Sequence, residues 1–468
     1  MNFTYNSNKI YNNWIQNCKK FFSKWKDDDF YSDKAEHIYF YSDVNDESVN
    51  MLHDLLKTAS KTNKNGNVSK PPKPIVIHLN SPGGSTLSEN LFSVVMSTQR
   101  VPLCVIIESL CASAATTLAL LAPYRVMIDY SSYMIHDSII GGIQKGHEKF
   151  SDSFHTEYDM ISRYLSLVRE RTGLSGKEIK KFISRDIFID STYCKKKKII
   201  DRILKFPKIN TSKDYNKSVH TELSLKLPTF LKKTNLNHLY VDTEQIYDGN
   251  LIESTSNDQI ETMEHASSLP EICIALDKYI LHNNDNVIKP ILIHFKPSSG
   301  IYRQTRCNPL ELVSLQYRMA LIQQKTPVVA MIEGPQALDN LGLILMCPIR
   351  LMMTPTIISS YFTSTHSGSL LGSYKTIDVL ENTKYNIKNV IKFLKKFSKL
   401  PAKFYSELQH EIINLKPEDC MEYGLVHQVV NFMKIKPVTL KNIQNYYKLN
   451  NLTQKYSRSS TRNLKRKK

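Results

Sequence analysis

Residues 109–118, SLCASAATTL, place a serine among small side chains where an apolar strand would give way to a helix. In that position the hydroxyl of Ser113 would lie at a helix N-terminus, next to backbone amides that could stabilise a developing oxyanion. Such a serine could attack a carbonyl carbon. A serine in this setting is more often a helix N-cap, so the segment by itself leaves both roles open.

Three further segments could serve the same chemistry. The turn NSPGG at residues 80–84 contains glycines whose backbone freedom can leave N–H groups facing a ligand, although a plain loop is the commoner explanation. His136 ends the apolar segment SSYMIH, and Asp186 follows an arginine in SRDIF. Taken singly, these two are typical of a structural histidine and a surface carboxylate. The chemistry therefore depends on whether the fold brings them to Ser113.

The elements that would hold these residues occur twice in the chain. Residues 74–84, PIVIHLNSPGG, match residues 290–300, PILIHFKPSSG, and residues 101–108, VPLCVIIE, match residues 326–333, TPVVAMIE. In each copy a short apolar run is followed by a turn, a helical segment and a second such run, which is a βαβ unit with parallel strands. A right-handed crossover packs the helices outside the sheet. The sequence therefore predicts an α/β fold built as a tandem repeat.

In this order, the motifs of the first copy resemble those of ClpP, the family of Clp protease proteolytic subunits. NSPGG and the MIH of residues 134–136 are intact, SLCASAA stands where the family has G-x-A-A-S-M-G, and residues 185–188, RDIF, match R-D-x-F. The similarity extends from about His37 to Leu204. It implies two ClpP/crotonase-like domains, each a layered parallel-sheet βαβ repeat with outer helices.

The resemblance also implies a role for each candidate residue. Ser113 would be the nucleophile, His136 the general base and Asp186 the carboxylate that orients the imidazole. This grouping makes chemical sense because a serine hydroxyl attacks well only when a neighbouring imidazole takes its proton. Gly84 and Ala114 would supply the N–H groups of an oxyanion hole. The implied activity is that of a serine endopeptidase, which needs neither a metal nor another cofactor.

The same resemblance implies a substrate and partners. Gly141 and Gly142 would lie beside an extended peptide, which would add to them as a strand. A peptide or an unfolded protein is the expected substrate, with an AAA+ unfoldase delivering folded proteins. We expect a homo-oligomer or a hetero-oligomer with other ClpP-like subunits.

The first copy departs from the family pattern at several positions. Ser109 replaces a glycine upstream of the proposed nucleophile. Asp137 follows the histidine, where a second carboxylate could raise the pKa of His136 and hold it protonated. Lys198 lies at a predicted helix end, where a glycine usually relieves backbone strain.

The second copy keeps the architecture but lacks the catalytic side chains. Alignment of the copies puts Leu338 opposite Ser113 and Tyr361 opposite His136, and Ile412 stands where an aspartate would be required. We therefore expect this copy to be structural. The predicted segments are an N-terminal extension (1–35), a ClpP-like domain with an intact triad (36–204), a Lys-rich linker (205–237), a degenerate ClpP-like domain (238–433) and a basic tail (434–468).

Composition and charge argue against several other classes of protein. Hydrophobic residues make up 41% of the 468 residues, enough for ordinary cores. No stretch approaches the roughly 18 uninterrupted apolar residues of a membrane helix, so no membrane association is expected. The formal net charge is +18, and residues 451–468 carry lysine and arginine without an acid. Since no base-reading module accompanies that tail, we interpret it as a solvated segment and not as a nucleic-acid site.

The compartment is only partly indicated. The eight cysteines lack CxxC or metal-type spacing, which is typical of reduced thiols. The first residues lack the apolar core of a secretory signal. We expect a soluble intracellular protein, and an organelle of endosymbiotic origin is one candidate location.

Alternative functions share this architecture. A catalytically idle ClpP-like scaffold, or a regulatory subunit of a Clp-type assembly, would keep the fold without the chemistry. A crotonase-type acyl-CoA enzyme does not need Ser113 with His136, and a signal-peptide peptidase relies on a lysine base. The RDIF segment argues against these last two.

Overall fold

A computed structural model describes the backbone of residues 9–60, 72–136, 161–184, 187–206, 237–241, 251–254, 265–266, 272–277, 291–295, 313–323, 328–337, 344–347, 349–354, 356–359, 391, 394–395, 398–407 and 413–430. We call residues 9–206 the first half and residues 237–430 the second half. None of the helices in these ranges combines the length and the apolar character that crossing a bilayer requires.

The first half alternates strands and helices. Its strands are β1 (Glu36–Tyr41), β2 (Ile75–Ser81), β3 (Leu103–Ala112), β4 (Tyr124–Ile128), β5 (Ser132–Met134), β6 (Phe188–Asp190) and β7 (Arg202–Leu204). Its helices are α1 (Lys9–Phe22), α2 (Asp46–Ala59), α3 (Thr86–Ser97), α4 (Ala115–Leu121), α5 (161–171), α6 (Gly176–Ile183) and α7 (Ser191–Lys196), with a 3-10 helix at Asp27–Tyr31.

The strands β1, β2, β3, β4 and β7 form a parallel sheet in that order. Every residue of β4 is buried, and nearly all of those in β2 and β3 are, as expected for strands covered on both faces. Helix α3 connects β2 to β3. The predicted α/β class is confirmed. The predicted parallel pairing of the two apolar runs, IVIHL at residues 75–79 and LCVII at residues 103–107, is also confirmed.

Strand β3 changes partner along its length, and this change positions the candidate site. Residues Cys104–Ile107 pair with β4, whereas Leu110–Ala112 pair with β5. Strand β6 then pairs antiparallel with β5. The carboxyl end of β3, which leads to Ser113, is therefore held by β5 and not by β4.

The N-terminal residues pack against the sheet. Residues 1–35 are predicted to be an extension without a clear pattern, but residues 9–35 are described and several of them are buried. Trp14 donates from Nε1 to the carbonyl of Val101 at 3.0 Å. Phe22 and Phe30 are fully buried, and full burial of such a side chain contributes roughly 1.5–3 kcal/mol. Helix α1 therefore belongs to the core of the first half.

The second half contains a second sheet. Its strands are β8 (Asn237–Val241), β9 (Leu251–Ser254), β10 (His265–Ala266), β11 (Ile291–Phe295), β12 (Val328–Ile332), β13 (Gln336–Ala337), β14 (Ile349–Met353), β15 (Ile358–Ser359), β16 (Asn414–Leu415) and β17 (Gln428–Val430). Its helices are α8 (272–277), α9 (Val313–Gln323), α10 (Ala402–Glu407) and α11 (Pro417–Glu422).

The second sheet is parallel and has the order β10, β8, β11, β12, β14, β17. A small separate sheet joins β13, β15 and β16, with β15 and β16 antiparallel. The order β8, β11, β12, β14, β17 follows the chain in the same way as β1, β2, β3, β4, β7 of the first sheet. Most of the predicted linker, residues 207–236, and the predicted basic tail lie outside the described residues.

The two halves share contacts. Strand β9 of the second half pairs antiparallel with β1 at the edge of the first sheet. Helix α9 contacts β3 and β4 of the first sheet as well as β12 of its own. The buried apolar side chains of both halves form one continuous cluster.

Candidate active site

Ser113 joins β3 to α4, and its backbone is strained. Its φ is 53°, in the left-handed region that non-glycine residues rarely occupy. The Ser113 carbonyl accepts hydrogen bonds from the N–H and the hydroxyl of Thr116, at 3.0 and 2.6 Å. The adjacent Ala112 and Ala114 are small and buried, whereas Ser113 itself is partly exposed. A tight strand-to-helix turn of this kind presents a serine hydroxyl at the end of a sheet.

The Ser113 hydroxyl faces the imidazole of His136. Ser113 Oγ and His136 Nε2 are 2.8 Å apart. Strand β5 brings the two side chains together, because the Ser113 N–H donates to the carbonyl of Met134, two residues before His136, at 2.9 Å. The N-cap position of α4 is occupied by Ala114, without a side-chain cap hydrogen bond. Of the two roles that the sequence leaves open for Ser113, the geometry matches a hydroxyl paired with an imidazole and not an N-cap.

The glycine turn lies directly against this serine. Gly83 and Gly84 have φ values of +98° and +152°. A β-carbon on Gly83 would lie 2.6 Å from Ser113 Cβ and 3.0 Å from the Ala114 nitrogen. A β-carbon on Gly84 would lie 2.3 Å from the Val44 carbonyl oxygen. Both positions therefore require glycine for space as well as for backbone angle, and the turn backbone is brought next to Ser113 and Ala114.

Cys111 is a second nucleophilic side chain on the same strand. Its side chain is fully buried, and burial raises the pKa of the thiol well above its ordinary value. A protonated thiol is a poor nucleophile. The serine is therefore the better candidate at this end of β3.

Several residues predicted from the sequence lie outside the described residues. These are Asp186, Gly141, Gly142 and Asp137. The strand that follows Asp186 is described, and in its antiparallel pairing Phe188 lies opposite Met134. Within the described part of the chain, no group of three or more His, Cys, Asp or Glu side chains could hold a metal ion.

A buried ionic cluster on β3 was missed by the sequence reasoning. The carboxylate of Glu108 accepts hydrogen bonds from Tyr31 at 2.7 Å, from Tyr41, and from His78 Nδ1 at 2.7 Å. The guanidinium of Arg318 donates to both carboxylate oxygens at 2.9 Å. Burial by itself would raise the pKa of Glu108. The charges of Arg318 and His78 and their hydrogen bonds outweigh burial and hold this pKa well below its usual range.

Two histidines extend the cluster by a chain of hydrogen bonds. His37 Nε2 lies 2.8 Å from the Ser32 carbonyl oxygen, His37 Nδ1 lies 2.9 Å from His78 Nε2, and His78 Nδ1 lies 2.7 Å from Glu108 Oε1. A carbonyl and a carboxylate only accept, so His37 Nε2 and His78 Nδ1 are the donors at the two ends of this chain. Burial and the charge of His78 lower the pKa of His37 to about 3. His37 is therefore neutral near pH 7.

One feature of the sequence could have identified part of this cluster. In the first copy, His78 and Glu108 stand within otherwise apolar runs. The second copy has the same pair of residue types at His294 and Glu333. Their Nδ1 and Oε1 atoms are 2.5 Å apart. No feature of the sequence pointed to Arg318, because its partner Glu108 is distant along the chain.

Comparison with known proteins locates the similarity in the first half. Residues 26–206 match the family described as Clp protease. The protein named "ATP-dependent Clp protease proteolytic subunit 1" from Chlamydia abortus is 29% identical over 173 residues, which is 36% of this chain and 86% of that protein. The protein of the same name from Chlamydia muridarum is 30% identical over 142 residues, 29% of this chain and 73% of that protein. A solved structure titled "ClpP1 from Listeria monocytogenes" is 22% identical, covers 38% of this chain and 94% of that chain, and gives a TM-score of 0.30.

Proposed function

The chain belongs to the Clp protease family through residues 26–206, and we propose that residues 36–204 form a serine endopeptidase that hydrolyses peptide bonds. The observation that carries this proposal is the 2.8 Å contact between Ser113 Oγ and His136 Nε2 at a strained strand-to-helix turn. An imidazole at this distance can take the proton of the hydroxyl as it attacks. The relatives reported above are named proteolytic subunits, which supports the same class of reaction.

Proton transfer from Ser113 to His136 begins the proposed reaction. His136 Nε2 accepts the hydroxyl proton while Oγ bonds to the scissile carbonyl carbon, whose oxygen becomes an oxyanion. The N–H groups of Gly84 and Ala114 would donate to that oxyanion, and each such donor typically contributes about 10²–10³-fold in kcat. His136 then gives the proton to the leaving amine. Water, activated by the same imidazole, hydrolyses the acyl ester at Ser113.

Asp186 is the proposed third member of the triad. Met134 lies opposite Phe188 in the antiparallel pair of β5 and β6, and the same register continued by two residues would put Asp186 opposite His136. Residues opposite each other in such a pair have Cα atoms roughly 4.5–5.5 Å apart. A carboxylate there could accept the Nδ1–H of His136. It would hold the tautomer whose Nε2 accepts the serine proton.

The proposed substrate is an extended peptide or an unfolded protein. Gly141 and Gly142 would pair with it as an added strand, which delivers the scissile bond to Ser113 by main-chain hydrogen bonds. A folded substrate would need an AAA+ unfoldase as partner, and the relatives are named as ATP-dependent. We propose that the chain works in a homo-oligomer or in a hetero-oligomer with other ClpP-like subunits.

The second half is proposed to be a ClpP-like domain with a structural role. The shared strand order of the two parallel sheets supports this assignment. In the small sheet, β13 ends at Ala337 and β15 ends at Ser359. The residues aligned with Ser113 and His136 are Leu338 and Tyr361, so the serine and the histidine of the proposed pair are both absent from this half.

Labelling with a fluorophosphonate tests the proposed activity. The full chain should form one covalent adduct at neutral pH, and the adduct should be lost in Ser113→Ala and strongly slowed in His136→Ala. Ser97→Ala is the matched control, because Ser97 is a partly exposed serine at the end of α3. Its labelling should equal that of the unmodified chain.

Two outcomes would contradict the proposal. An adduct that persists in Ser113→Ala would move the nucleophile elsewhere. A properly folded chain that gives no adduct would favour the catalytically idle scaffold, which keeps the same fold without the chemistry.

A further inference from the structure

Helix α9 of the second half inserts a charged side chain into the first half. Arg318 is fully buried. Its Nη1 and Nη2 atoms each donate to one oxygen of Glu108 at 2.9 Å, and its Nε donates to Asp277 at 2.8 Å. Asp277 also accepts from the hydroxyl of Tyr39 on β1 at 2.8 Å. The second half thus supplies the cation that the buried Glu108 carboxylate needs.

The contact falls where β3 changes partner. Glu108 and Ser109 lie between the segment of β3 that pairs with β4 and the segment that pairs with β5. Helix α9 holds both residues, because Arg318 binds the Glu108 carboxylate and the Ser314 N–H donates to Ser109 Oγ at 3.1 Å. The direction in which β3 continues toward Ser113 is set at this junction.

The same junction is tied to the strand that leads to His136. Ser131 directly precedes β5, and its hydroxyl donates to the Glu108 carbonyl at 2.7 Å. The junction therefore contacts both strands whose ends carry the Ser113 and His136 pair. A shift of Glu108 would change the distance between Ser113 Oγ and His136 Nε2, and proton transfer depends on that distance.

The second half has a corresponding histidine and glutamate, His294 and Glu333, whose environment is different. Glu333, which aligns with Glu108, has a side chain that is 24% exposed, whereas the Glu108 side chain is fully buried. A carboxylate in contact with water does not need a buried cation. Of the two aligned glutamates, the fully buried one is thus the one in the half that contains the candidate site.

We propose that Arg318 and Ser314 are positioning residues, through which the second half holds the β3 junction and thereby aligns Ser113 with His136. This inference rests on the proposed serine chemistry of the first half. The second half would then be required for reactivity as an internal positioning domain, and not only for solubility or assembly.

The test measures the rate of fluorophosphonate labelling at Ser113 in the full chain, normalised to the folded fraction. Ser109→Ala removes the acceptor of the Ser314 N–H and should slow labelling by about 10-fold. Arg318→Met should slow it by about 100-fold, and Arg318→Lys should recover part of the rate because it keeps the charge. With a peptide substrate, kcat should fall while KM stays unchanged.

Ser60→Ala is the matched control. Ser60 donates to the Leu56 carbonyl and to Gln99 at the opposite end of the sheet, and both of these partners belong to the first half. It should lower the unfolding midpoint without changing the labelling rate of the folded chain.

The outcomes separate the inference from the proposed function. Labelling at Ser113 that is equal in the unmodified chain, Ser109→Ala and Arg318→Met would overturn the positioning role while leaving the peptidase assignment intact. Should Arg318→Met fail to fold, Ser109→Ala alone decides. Absence of any Ser113 labelling in the unmodified chain would reject the proposed function itself.

Discussion

Arg318 binds Glu108 through two hydrogen bonds of 2.9 Å, although the two residues are 210 positions apart in the chain. Neither side chain is exposed to solvent. A buried carboxylate or guanidinium is stable only when its charge is compensated. The pair therefore links the two halves, because Arg318 of the second half compensates the charge of Glu108, which is buried in the first half.

Loss of the cation should destabilise the protein strongly. Arg318→Met removes the guanidinium that binds both buried carboxylates, Glu108 and Asp277, so we expect the free energy of unfolding to fall by about 3–5 kcal/mol. Urea denaturation followed by circular dichroism measures this change. Adding Glu108→Gln to Arg318→Met should recover part of the loss, because a neutral amide needs no countercharge. Further destabilisation by that second substitution would contradict the ionic explanation.

The glycine turn should tolerate no side chain at Gly83. Gly83→Ala would put a β-carbon 2.6 Å from both the Ala112 carbonyl oxygen and Ser113 Cβ, at a φ of +98°. We expect the turn to shift and labelling at Ser113 to be lost. Gly176→Ala is the control, since a β-carbon at Gly176 meets nothing within 4 Å. Its labelling rate should be unchanged, and unchanged labelling in Gly83→Ala would show that the turn does not support the reactive serine.

The proposed orienting carboxylate gives a sharp kinetic expectation. Asp186→Asn should lower kcat for a peptide substrate by about 10⁴-fold, because an amide would favour the wrong imidazole tautomer. Asp190→Asn is the matched control. Asp190 accepts the Tyr193 N–H at 2.7 Å as the N-cap of α7, and asparagine caps equally well. Equal activity of the two variants would remove Asp186 from the triad.

Lys198 should be replaceable by glycine with a gain in stability. The sequence-based expectation of strain at this helix end is confirmed, since Lys198 follows α7 with a φ of 55°. The left-handed conformation costs a non-glycine residue roughly 1–2 kcal/mol. Glycine avoids this cost, but it loses more backbone entropy on folding, which offsets part of the gain. Lys198→Gly should therefore raise the free energy of unfolding by about 1 kcal/mol. In the second half, Gly424 with a φ of 68° follows α11 at the aligned position.

The control for this substitution lies two residues upstream. Lys196 is an exposed residue within α7, where glycine should cost about 1 kcal/mol. Chemical denaturation of the two variants should thus give shifts of opposite sign. Destabilisation by Lys198→Gly would mean that the lysine side chain contributes more than its backbone strain costs.

Stability should fall as the pH drops below 6.5 because of His37. Burial and the charge of His78 lower the pKa of His37 in the folded chain to about 3, from an ordinary value of 6.5. Below pH 6.5 the unfolded chain binds a proton at this residue that the folded chain does not. The free energy of unfolding should therefore decrease toward acid, by up to about 1.4 kcal/mol per pH unit.

Measurements between pH 6.5 and 5 exclude most carboxylates, which titrate at lower pH, and a His37 variant separates this effect from the other histidines. In His37→Gln the slope over that range should be smaller by about one proton. Nitrogen-15 spectra at pH 7 should show His37 neutral. A protonated His37 at that pH would contradict its lowered pKa.

Much of the architecture followed from local patterns. The IVIHL and LCVII runs were identified as parallel strands because they are short, apolar and separated by a turn and a helical segment. The place of Ser113 between a strand and a helix was predicted for a similar reason, since small residues follow an apolar run. The N-terminal helix was missed because α1 is stabilised by contacts with Val101, Leu121 and Tyr124, which are remote in sequence.

By itself, the sequence determined the α/β class, the internal repeat and the candidate residues Ser113 and His136, since strand periodicity, turn composition and motif order are local properties of the chain. The tertiary structure decided which hydroxyl faces which imidazole, and it revealed that Arg318 neutralises Glu108. Such pairs join residues on different elements, and their distances depend on sheet register and helix packing. The energetic need to neutralise a buried charge determines them, and that need exists only after the chain has folded.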